Sequence, residues 1–307
     1  MCYGPAAARP RRPPAGGAAA RPTLARVTDG LVGVLGVGLV DPTAPLLRAD
    51  DLGVVRGDGC FESVRIRPDG GAEDLDLHLE RLARSQAALD LPATDPAAWR
   101  ELVITLLAVW SGPGEGVLRL IVTRGLAEGA PPTAYALLVP IGERQLAERR
   151  DGVSAITLSR GMPADATVEA PWLLGGVKAI SYAVNMAALR YARASGADEV
   201  IFTSTDGQLL EAPTATVVWL AGGVLRTPPP APLGILDGVT VRHLFRAAAA
   251  AGFGTEIQRG RVADLHAADG VWLLSSVRIA AAVLTLDGKP LATDPDTTAR
   301  ILRAAGG

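Results

Sequence analysis

The stretch that decides the fold is GGVKAISYAVNMAALRYARAS, residues 175–195, which contains one of the two lysines in the chain. A helix is predicted over Lys178–Ser195, because a glycine follows the run and helices commonly stop there. Lysine normally lies on a solvated face, yet Lys178 stands among apolar residues and glycines. Apolar surroundings lower the pKa of an amine, and Schiff-base chemistry needs the unprotonated form. A helix residue whose amine reaches solvent along its apolar stem remains an equal alternative.

A carboxylate, Glu211, follows in the segment QLLEAPTATVVW, residues 208–219. Its apolar neighbours favour burial, and a buried carboxylate needs a cationic partner. A protonated pyridine nitrogen is such a partner and turns the ring into an electron sink. The alternative is an ordinary carboxylate on the surface of a strand. The other lysine, Lys289, lies in a DGKP turn and is expected to be exposed.

Three further elements are suited to bind an anion such as phosphate. Val239 and Thr240 open a helix predicted over Thr240–Ala251 with Thr240 as its N-cap, and a helix start offers free N–H groups and the positive end of a dipole. Ser275 and Ser276 end a buried strand and offer two hydroxyls, and Arg81 lies on another predicted helix. Each feature alone has an ordinary structural explanation, but their combination with a special lysine and a buried carboxylate is harder to dismiss.

Hydrophobic periodicity and turn residues predict alternating runs of strands and helices. Strands are predicted at Gly59–Arg67, Leu75–Leu77, Val117–Thr123, Ala134–Pro140, Val153–Leu158, Glu199–Thr203, Gln208–Glu211, Thr216–Leu220, Val224–Thr227 and Val271–Leu274. Further helices are predicted at His78–Leu89 and Pro96–Trp110. The charged stretch Gly142–Asp151 has no apolar period and is interpreted as a connection between domains. We therefore predict an α+β protein with a disordered tail over 1–22, a small N-terminal domain over 23–145 and a larger C-terminal domain over 146–307.

Composition excludes several classes of function. A formal net charge of −2 gives no reason to expect a nucleic acid or an anionic membrane as partner. The apolar run Leu31–Val40 has ten residues, too few to span a bilayer, and its glycines favour a pair of strands. Two cysteines, Cys2 and Cys60, do not form a disulfide framework, so a cytoplasmic protein is expected. No metal site is predicted.

Four segments together resemble the class IV pyridoxal-phosphate enzymes, a family of aminotransferases and lyases with fold type IV. They are RGDGCFESVRIR with HLERLARSQAALDLP, KAISYAVNMAALRYARASGADEVIFTSTDGQLLE, LGILDGVTV and VWLLSS. The resemblance runs from about Gly30 to Leu291. It implies a small α/β N-terminal domain, a larger pseudo-barrel domain, pyridoxal 5′-phosphate bound between them, and a homodimer.

The resemblance also implies roles for individual residues. Lys178 corresponds to the Schiff-base lysine, Glu211 to the partner of the pyridine nitrogen, and Tyr182 to a residue near the ring. The expected phosphate contacts are Arg81, Val239, Thr240, Ser275 and Ser276. The segment after the glutamate departs from the usual Gly-Ser-Ser-Ser-Asn, so the surroundings of the ring are not standard.

Three functions remain to be separated. Several segments most resemble actinobacterial aminodeoxychorismate lyases, which form 4-aminobenzoate and pyruvate in folate biosynthesis. The second hypothesis is transamination of D-amino acids or branched-chain amino acids. The Arg-x-His pair of D-amino-acid enzymes is replaced here by Gly129 and Pro131, whereas Arg119 falls where branched-chain enzymes bind a carboxylate or is a plain surface arginine. A substrate pocket is predicted around Phe61, Arg119 and Arg124. The third hypothesis, a dimeric binding module without activity, is opposed by the intact lysine and glutamate.

Overall fold

The computed structural model describes residues 30–307, so the tail predicted over 1–22 lies outside the described residues. The described chain consists of two β-sheets with helices packed against them. Antiparallel pairs predominate, and the chain does not repeat a single strand–helix unit, which is the pattern of the α+β class. No helix within 30–307 has the length and apolar content that crossing a membrane requires.

The first sheet comes from the N-terminal part of the described chain. Its strands are β1 Leu31–Val34, β2 Gly38–Val40, β3 Gly59–Ile66, β4 Gly116–Thr123 and β5 Thr133–Pro140. All neighbours are antiparallel in the order β2-β1-β5-β4-β3, which confirms the predicted glycine-rich strand pair and leaves β3 at an edge. Side chains such as Leu82, Trp99 and Leu106 join the sheet to two helices in one buried cluster.

The second sheet comes from the C-terminal part. Its strands are β6 Val153–Ser159, β7 Glu199–Thr203, β8 Thr216–Ala221, β9 Val224–Thr227, β10 Gly254–Ile257, β11 Gly270–Ser275, β12 Ile279–Leu286 and β13 Lys289–Pro290. The order is β10-β9-β8-β11-β12-β6-β7, with β13 beside β12. Two fully buried tryptophans, Trp219 and Trp272, belong to hydrophobic clusters on opposite faces, so both faces of this sheet are covered.

The helices connect and cover these strands. They are α1 Leu52–Arg56, α2 Leu75–Ala88, α3 Pro96–Val109, α4 Glu143–Asp151, α5 Ala166–Glu169, α6 Ala183–Ala194, α7 Pro230–Leu233, α8 Val239–Ala247, α9 Val262–His266 and α10 Pro295–Ala304. A short 3-10 turn at Pro171–Leu173 precedes α6. The helices α2 and α6 and the start of α8 bear most directly on the candidate site.

One prediction between these elements was wrong. Leu75–Leu77 is the first turn of α2, not a strand, because Leu75, Leu79 and Leu82 share one helix face that packs into the core. The stretch Gly142–Asp151, which connects β5 of the first sheet to β6 of the second, is mostly the helix α4. Ion pairs stabilise α4 in place of an apolar stripe, including the pair four residues apart between Arg144 and Glu148 at 2.6 Å.

Two further predictions fail near the site. Gln208–Glu211 is not a strand, although Leu209 still forms an isolated bridge with Thr203. The helix predicted over Thr240–Ala251 is α8. It begins at Val239, ends at Ala247, and has Gly238 rather than Thr240 as its N-cap. The N-cap is a glycine without a side-chain cap, so the first N–H groups of α8 are left for other partners.

Candidate active site

The backbone of Lys178 is extended and lies along the free edge of β3, which corrects the predicted helix start. The N–H of Phe61 donates to the carbonyl of Lys178 at 3.0 Å, and the N–H of Ile180 donates to the carbonyl of Gly59 at 2.9 Å. An edge strand presents unpaired backbone groups, and the segment from Lys178 satisfies them. The helix α6 starts only after this pairing ends, at Ala183. The lysine is therefore anchored between a strand of the first sheet and a helix that packs on the second.

Two aromatic rings surround the Lys178 amine. Its Nζ lies 4.3 Å from the centroid of the Phe61 ring and 5.8 Å from that of Tyr182, and the two rings meet edge to face at 5.2 Å. Burial, together with the charge of Arg81, lowers the pKa of Lys178 to about 8. A pKa near neutrality gives a substantial unprotonated fraction, so the predicted special environment is present around Lys178. Lys289, in contrast, is exposed as expected.

Glu211 is the second candidate group, with a side chain 16% exposed. One carboxylate oxygen accepts the N–H of Leu236 at 3.1 Å, and the other lies 3.5 Å from the guanidinium of Arg160. Arg160 in turn lies over the Phe202 ring, 4.9 Å from its centroid. Burial raises the pKa of Glu211 despite these contacts. Arg160 was not identified from the sequence, because it is separated from Glu211 by 51 residues and no local pattern connects them.

The elements suited to bind an anion converge on one cavity of about 210 Å³. Gly238 opens α8 on one side, and a Cβ added to Gly238 would lie 2.6 Å from the Thr216 hydroxyl oxygen, so a larger residue would crowd this wall. The end of β11 brings its two serines to the same cavity. The predicted site residues among those lining it are Arg81, Lys178, Tyr182, Glu211, Val239, Thr240, Ser275 and Ser276.

A buried ionic network adjoins this cavity. Glu62 on β3 is fully buried and accepts two N–H groups of Arg81, from Nε at 2.7 Å and from a terminal nitrogen at 2.8 Å. The Nδ1 of His78 lies 2.7 Å from Glu62, and its Nε2 lies 3.3 Å from the Ser276 hydroxyl. Burial acts to raise the pKa of Glu62, but Arg81 and His78 outweigh it and hold the pKa well below its usual range.

Neither Glu62 nor His78 was identified from the sequence. Both lie inside quoted segments, but a strand glutamate and a helix histidine have ordinary interpretations as surface residues. Their partners come from β3, α2 and the end of β11, so only the packing of the two sheets brings them together. The remaining terminal nitrogen of Arg81 donates to the carbonyl of Asp237 at 2.8 Å. Three of the five guanidinium N–H groups are thus used, and two remain available.

A second cavity of about 500 Å³ opens beside the first and shares Lys178 with it. One wall carries Arg119, which has no salt bridge within residues 30–307. Deeper in the wall, Arg278 pairs with Glu199 at 2.8 Å and Glu148 at 3.4 Å, so its charge is already compensated. The apolar part of the lining comes from both sheets and from α6, and it includes Phe61, Val117, Val139, Met186 and Leu189.

The predicted substrate residue Arg124 lies elsewhere. Its guanidinium is paired with Asp58 at 2.6 Å and donates to the carbonyls of Leu89 at 2.6 Å and Asp90 at 3.2 Å. These bonds occupy Arg124 in joining the end of α2 to the end of β4, and it lines neither cavity. Phe61 and Arg119, the other two predicted pocket residues, both line the larger cavity.

These donors suit pyridoxal 5′-phosphate, whose three functional ends need different partners. An amine of lowered pKa, a carboxylate in the same cavity lining, and a group of N–H and O–H donors are the chemistry that its aldehyde, pyridine nitrogen and phosphate require. Within residues 30–307, Glu211 is the carboxylate that lines the smaller cavity, and the adjoining Glu62 is already neutralised by Arg81.

Comparison with known proteins also indicates a pyridoxal-phosphate enzyme. The family model for amino-transferase class IV matches residues 59–285. A bifunctional aminodeoxychorismate lyase / D-amino acid transaminase from Mycobacterium tuberculosis is 47% identical over 266 residues, covering 84% of this chain and 91% of that protein.

Solved structures agree with the sequence match. The PLP-bound form of a hypothetical aminotransferase from Mycobacterium tuberculosis superimposes with a TM-score of 0.86 at 47% identity, covering 90% of this chain and 98% of the other. The fold IV transaminase CpuTA1 from Curtobacterium pusillum does so with a TM-score of 0.85 at 39% identity, covering 91% and 99%. The predicted two-domain α+β architecture of fold type IV is thereby confirmed. The chain belongs to the class IV aminotransferase family, and its cofactor is pyridoxal 5′-phosphate.

Proposed function

We propose that this enzyme is an aminodeoxychorismate lyase that converts 4-amino-4-deoxychorismate to 4-aminobenzoate and pyruvate, a step of folate biosynthesis. The observation that carries the proposal is the cavity of about 500 Å³ beside Lys178. Its volume is typical of sites for ligands much larger than alanine. A lining that combines the uncompensated charge of Arg119 with an apolar surface suits a ring that bears carboxylates.

Within this proposal the cofactor is bound by the residues of the smaller cavity. Glu211 holds a proton at the pyridine nitrogen, and Tyr182 packs near the ring. The phosphate is bound by Arg81, the start of α8 at Val239 and Thr240, and the hydroxyls of Ser275 and Ser276. When bound, pyridoxal 5′-phosphate draws electrons away from the substrate carbon that carries the amino group.

Lys178 is the proposed proton carrier. Its Nζ takes the proton from the ring carbon that bears the amino group, and the bond between the neighbouring carbon and the enolpyruvyl oxygen then breaks. The same Nζ returns a proton to the departing group, which leaves as pyruvate, while the ring becomes aromatic. An amine with a pKa of about 8 exchanges protons in both directions near neutral pH.

Substrate binding is assigned to Arg119 and the apolar lining of the larger cavity. A guanidinium without a carboxylate partner in the described chain can pair with a substrate carboxylate through two parallel hydrogen bonds. Arg124 is left out of this assignment, because its hydrogen bonds to Asp58 and to two carbonyls already occupy it.

The second candidate function is transamination of D-amino acids. It is favoured by the printed name of the Mycobacterium tuberculosis relative, which combines both activities. Against it as the main activity, Gly129 and Pro131 offer no side-chain donor where D-amino-acid enzymes bind a carboxylate. We therefore expect weak transamination beside the lyase reaction. The homodimer, the domain boundary near residue 145 and the cytoplasmic location stay predictions.

The test compares the two reactions on a single preparation. We expect kcat/KM for 4-amino-4-deoxychorismate, followed by formation of 4-aminobenzoate, to exceed that for D-alanine or L-leucine with a keto acid. An enzyme that uses either amino acid tenfold better than 4-amino-4-deoxychorismate would be a transaminase, and the proposal would be wrong.

A variant that fills the cavity sharpens the same test. Met186→Trp reduces the space in the larger cavity, so it should lower kcat/KM for the ring-bearing substrate far more than for D-alanine. Ala187→Trp is the matched control, because the side chain of Ala187 is exposed on another face of α6 and does not line the cavity. Equal losses for both substrates in Met186→Trp would show that the cavity does not accommodate the ring.

A further inference from the structure

The phosphate end of the cofactor cavity contains a hydrogen-bonded path that passes from one sheet to the other. It runs from the Ser276 hydroxyl at the end of β11, through His78 on α2, to Glu62 on β3. His78 is 2% exposed and Glu62 is fully buried, so this path is closed to bulk water along most of its length. None of the roles assigned above uses His78, although this buried imidazole contacts Ser276, which lines the cavity.

The protonation of the path is constrained by its buried end. Because Arg81 and His78 keep the pKa of Glu62 low, its carboxylate is ionised and can only accept hydrogen bonds. The Nδ1 of His78 must therefore carry a hydrogen and donate it to Glu62 across 2.7 Å. The ring orientation is fixed by this charge-assisted bond, which directs Nε2 at the Ser276 hydroxyl.

Arg81 is oriented by the same carboxylate. Glu62 accepts from Nε and from one terminal nitrogen of Arg81, and the carbonyl of Asp237 accepts from the other. A guanidinium bound at three points cannot rotate, so its two remaining N–H groups have set directions. One carboxylate thus sets the directions of two groups that lie at the phosphate end, the arginine directly and the serine through the histidine.

We infer that His78 is a positioning residue for the cofactor phosphate, which acts by orienting the hydroxyl of Ser276. The inference rests on the proposed roles of Ser276 and Arg81 as phosphate contacts, and it is independent of the reaction that follows. In this arrangement both ring nitrogens donate, Nδ1 to Glu62 and Nε2 to the Ser276 oxygen, so the hydroxyl hydrogen of Ser276 is left to donate to the phosphate. A hydroxyl that is already oriented binds the phosphate without first losing its rotational freedom, and preorganisation of this kind strengthens binding. The expected contribution is that of one hydrogen bond, about threefold to tenfold in affinity.

The experiment measures cofactor affinity rather than turnover. Full-length protein freed of cofactor is titrated with pyridoxal 5′-phosphate and, separately, with pyridoxal, which has the same aldehyde and ring but no phosphate. The variants are His78→Asn, Ser276→Ala and the double substitution. Asparagine is chosen because its amide can still donate to Glu62 from nearly the position of Nδ1, but it is too short to reach Ser276.

We expect each single variant to weaken the binding of pyridoxal 5′-phosphate about threefold to tenfold and to leave that of pyridoxal unchanged. The double variant should bind pyridoxal 5′-phosphate no more weakly than the single variant with the lower affinity, because both changes remove the same interaction. Additive losses, an equal loss for pyridoxal, or unchanged affinity in His78→Asn would each overturn the inference.

If His78→Asn does not fold, His78→Phe takes its place, because it keeps a ring of similar size and has no nitrogen to bond Ser276. A threefold to tenfold loss of phosphate-dependent affinity in His78→Phe, with no further loss when Ser276→Ala is added, supports the inference, and unchanged affinity in His78→Phe overturns it. A failed lyase assay would leave these binding results untouched, so the two proposals can fail separately.

Discussion

The two cavities that meet at Lys178 differ in how their charges are arranged. In the smaller one every charged group beside Lys178 has a partner, as Arg81 has Glu62 and Glu211 has Arg160. The larger one combines an apolar lining with Arg119, which has no ion-pair partner within 30–307. Groups that are paired before a ligand arrives are preorganised for one cofactor, whereas an unpaired guanidinium favours whichever carboxylate fits beside it. On the proposed function, the cofactor chemistry therefore belongs to the first cavity and the choice of substrate to the second.

The largest expected effect comes from Lys178, one of the residues that line both cavities. Lys178→Ala should abolish covalent attachment of the cofactor and nearly all turnover in both reactions, on the order of 10³-fold or more, because the nucleophile and the proton carrier are lost together. Borohydride reduction followed by peptide mapping should place the pyridoxyl label on Lys178. Lys289→Ala is the control, and it should behave as wild type since that side chain is exposed. A label on Lys289 would refute the assignment.

A change confined to the smaller cavity should slow both reactions without changing their ratio. In Glu211→Gln a neutral amide replaces the carboxylate and cannot keep the pyridine nitrogen protonated, so we expect a loss on the order of 10²-fold with the cofactor still bound. Steady-state rates for both substrates and the absorbance of the bound cofactor measure the two effects. Turnover like that of the wild type would make Glu211 a structural residue.

A change confined to the larger cavity should alter the ratio itself. Arg119→Leu removes a guanidinium that has no salt bridge within residues 30–307, and we expect KM for 4-amino-4-deoxychorismate to rise about 10- to 100-fold, with a smaller effect on D-alanine. Arg124→Leu is the informative comparison. Because its guanidinium is occupied with Asp58, it should lower thermal stability and leave KM for either substrate nearly unchanged. The reverse pattern would return the substrate role to Arg124.

The smallest expected effect is on the pH dependence of cofactor attachment. Burial lowers the pKa of Lys178 to about 8, so the amine is mostly protonated below that pH and mostly neutral above it. The attachment rate in cofactor-free protein should rise about tenfold per pH unit below about pH 8 and level off above it. Rapid-mixing absorbance measures this profile. A rise that continues to about pH 10 would mean that Lys178 has an ordinary amine pKa.

The same lowered pKa affects stability. The unfolded chain binds a proton at Lys178 up to about pH 10.4, whereas the folded one releases it near pH 8. The unfolded state therefore carries more protons in this window, and this group makes the cofactor-free fold more stable as the pH rises through it. In Lys178→Met this contribution to the pH dependence of unfolding should be absent.

The sequence could predict those site residues whose role is indicated by their immediate sequence neighbours. Lys178 and Glu211 stand out because each combines one functional group with an apolar neighbourhood, and composition left only two lysines to consider. The serines at the end of β11 and the start of α8 were found because strand ends and helix starts have local signatures. His78, Glu62 and Arg160 have no such signature, and their importance arises only from partners far along the chain.

The errors have the same origin. Lys178 was expected on a helix, but the unpaired edge of β3 binds its backbone in an extended form, and nothing within the lysine segment itself reveals that edge. Arg124 and Arg119 are equally plausible as strand arginines close in sequence. The two arginines differ in their salt bridges. Asp58 pairs with Arg124 at 2.6 Å, whereas Arg119 has no salt bridge within residues 30–307.

The sequence by itself thus indicated the α+β class from its periodicity, the single suitable lysine from its composition, and the family and cofactor from the resemblance of four segments to class IV enzymes. Tertiary structure alone decided which arginine lines the larger cavity, how large that cavity is, and which buried carboxylate binds Arg81 and His78. The physical reason is that charges and hydrogen bonds act over a few ångströms in space, and for Glu62, His78 and Ser276 those neighbours are up to 214 positions apart in the chain.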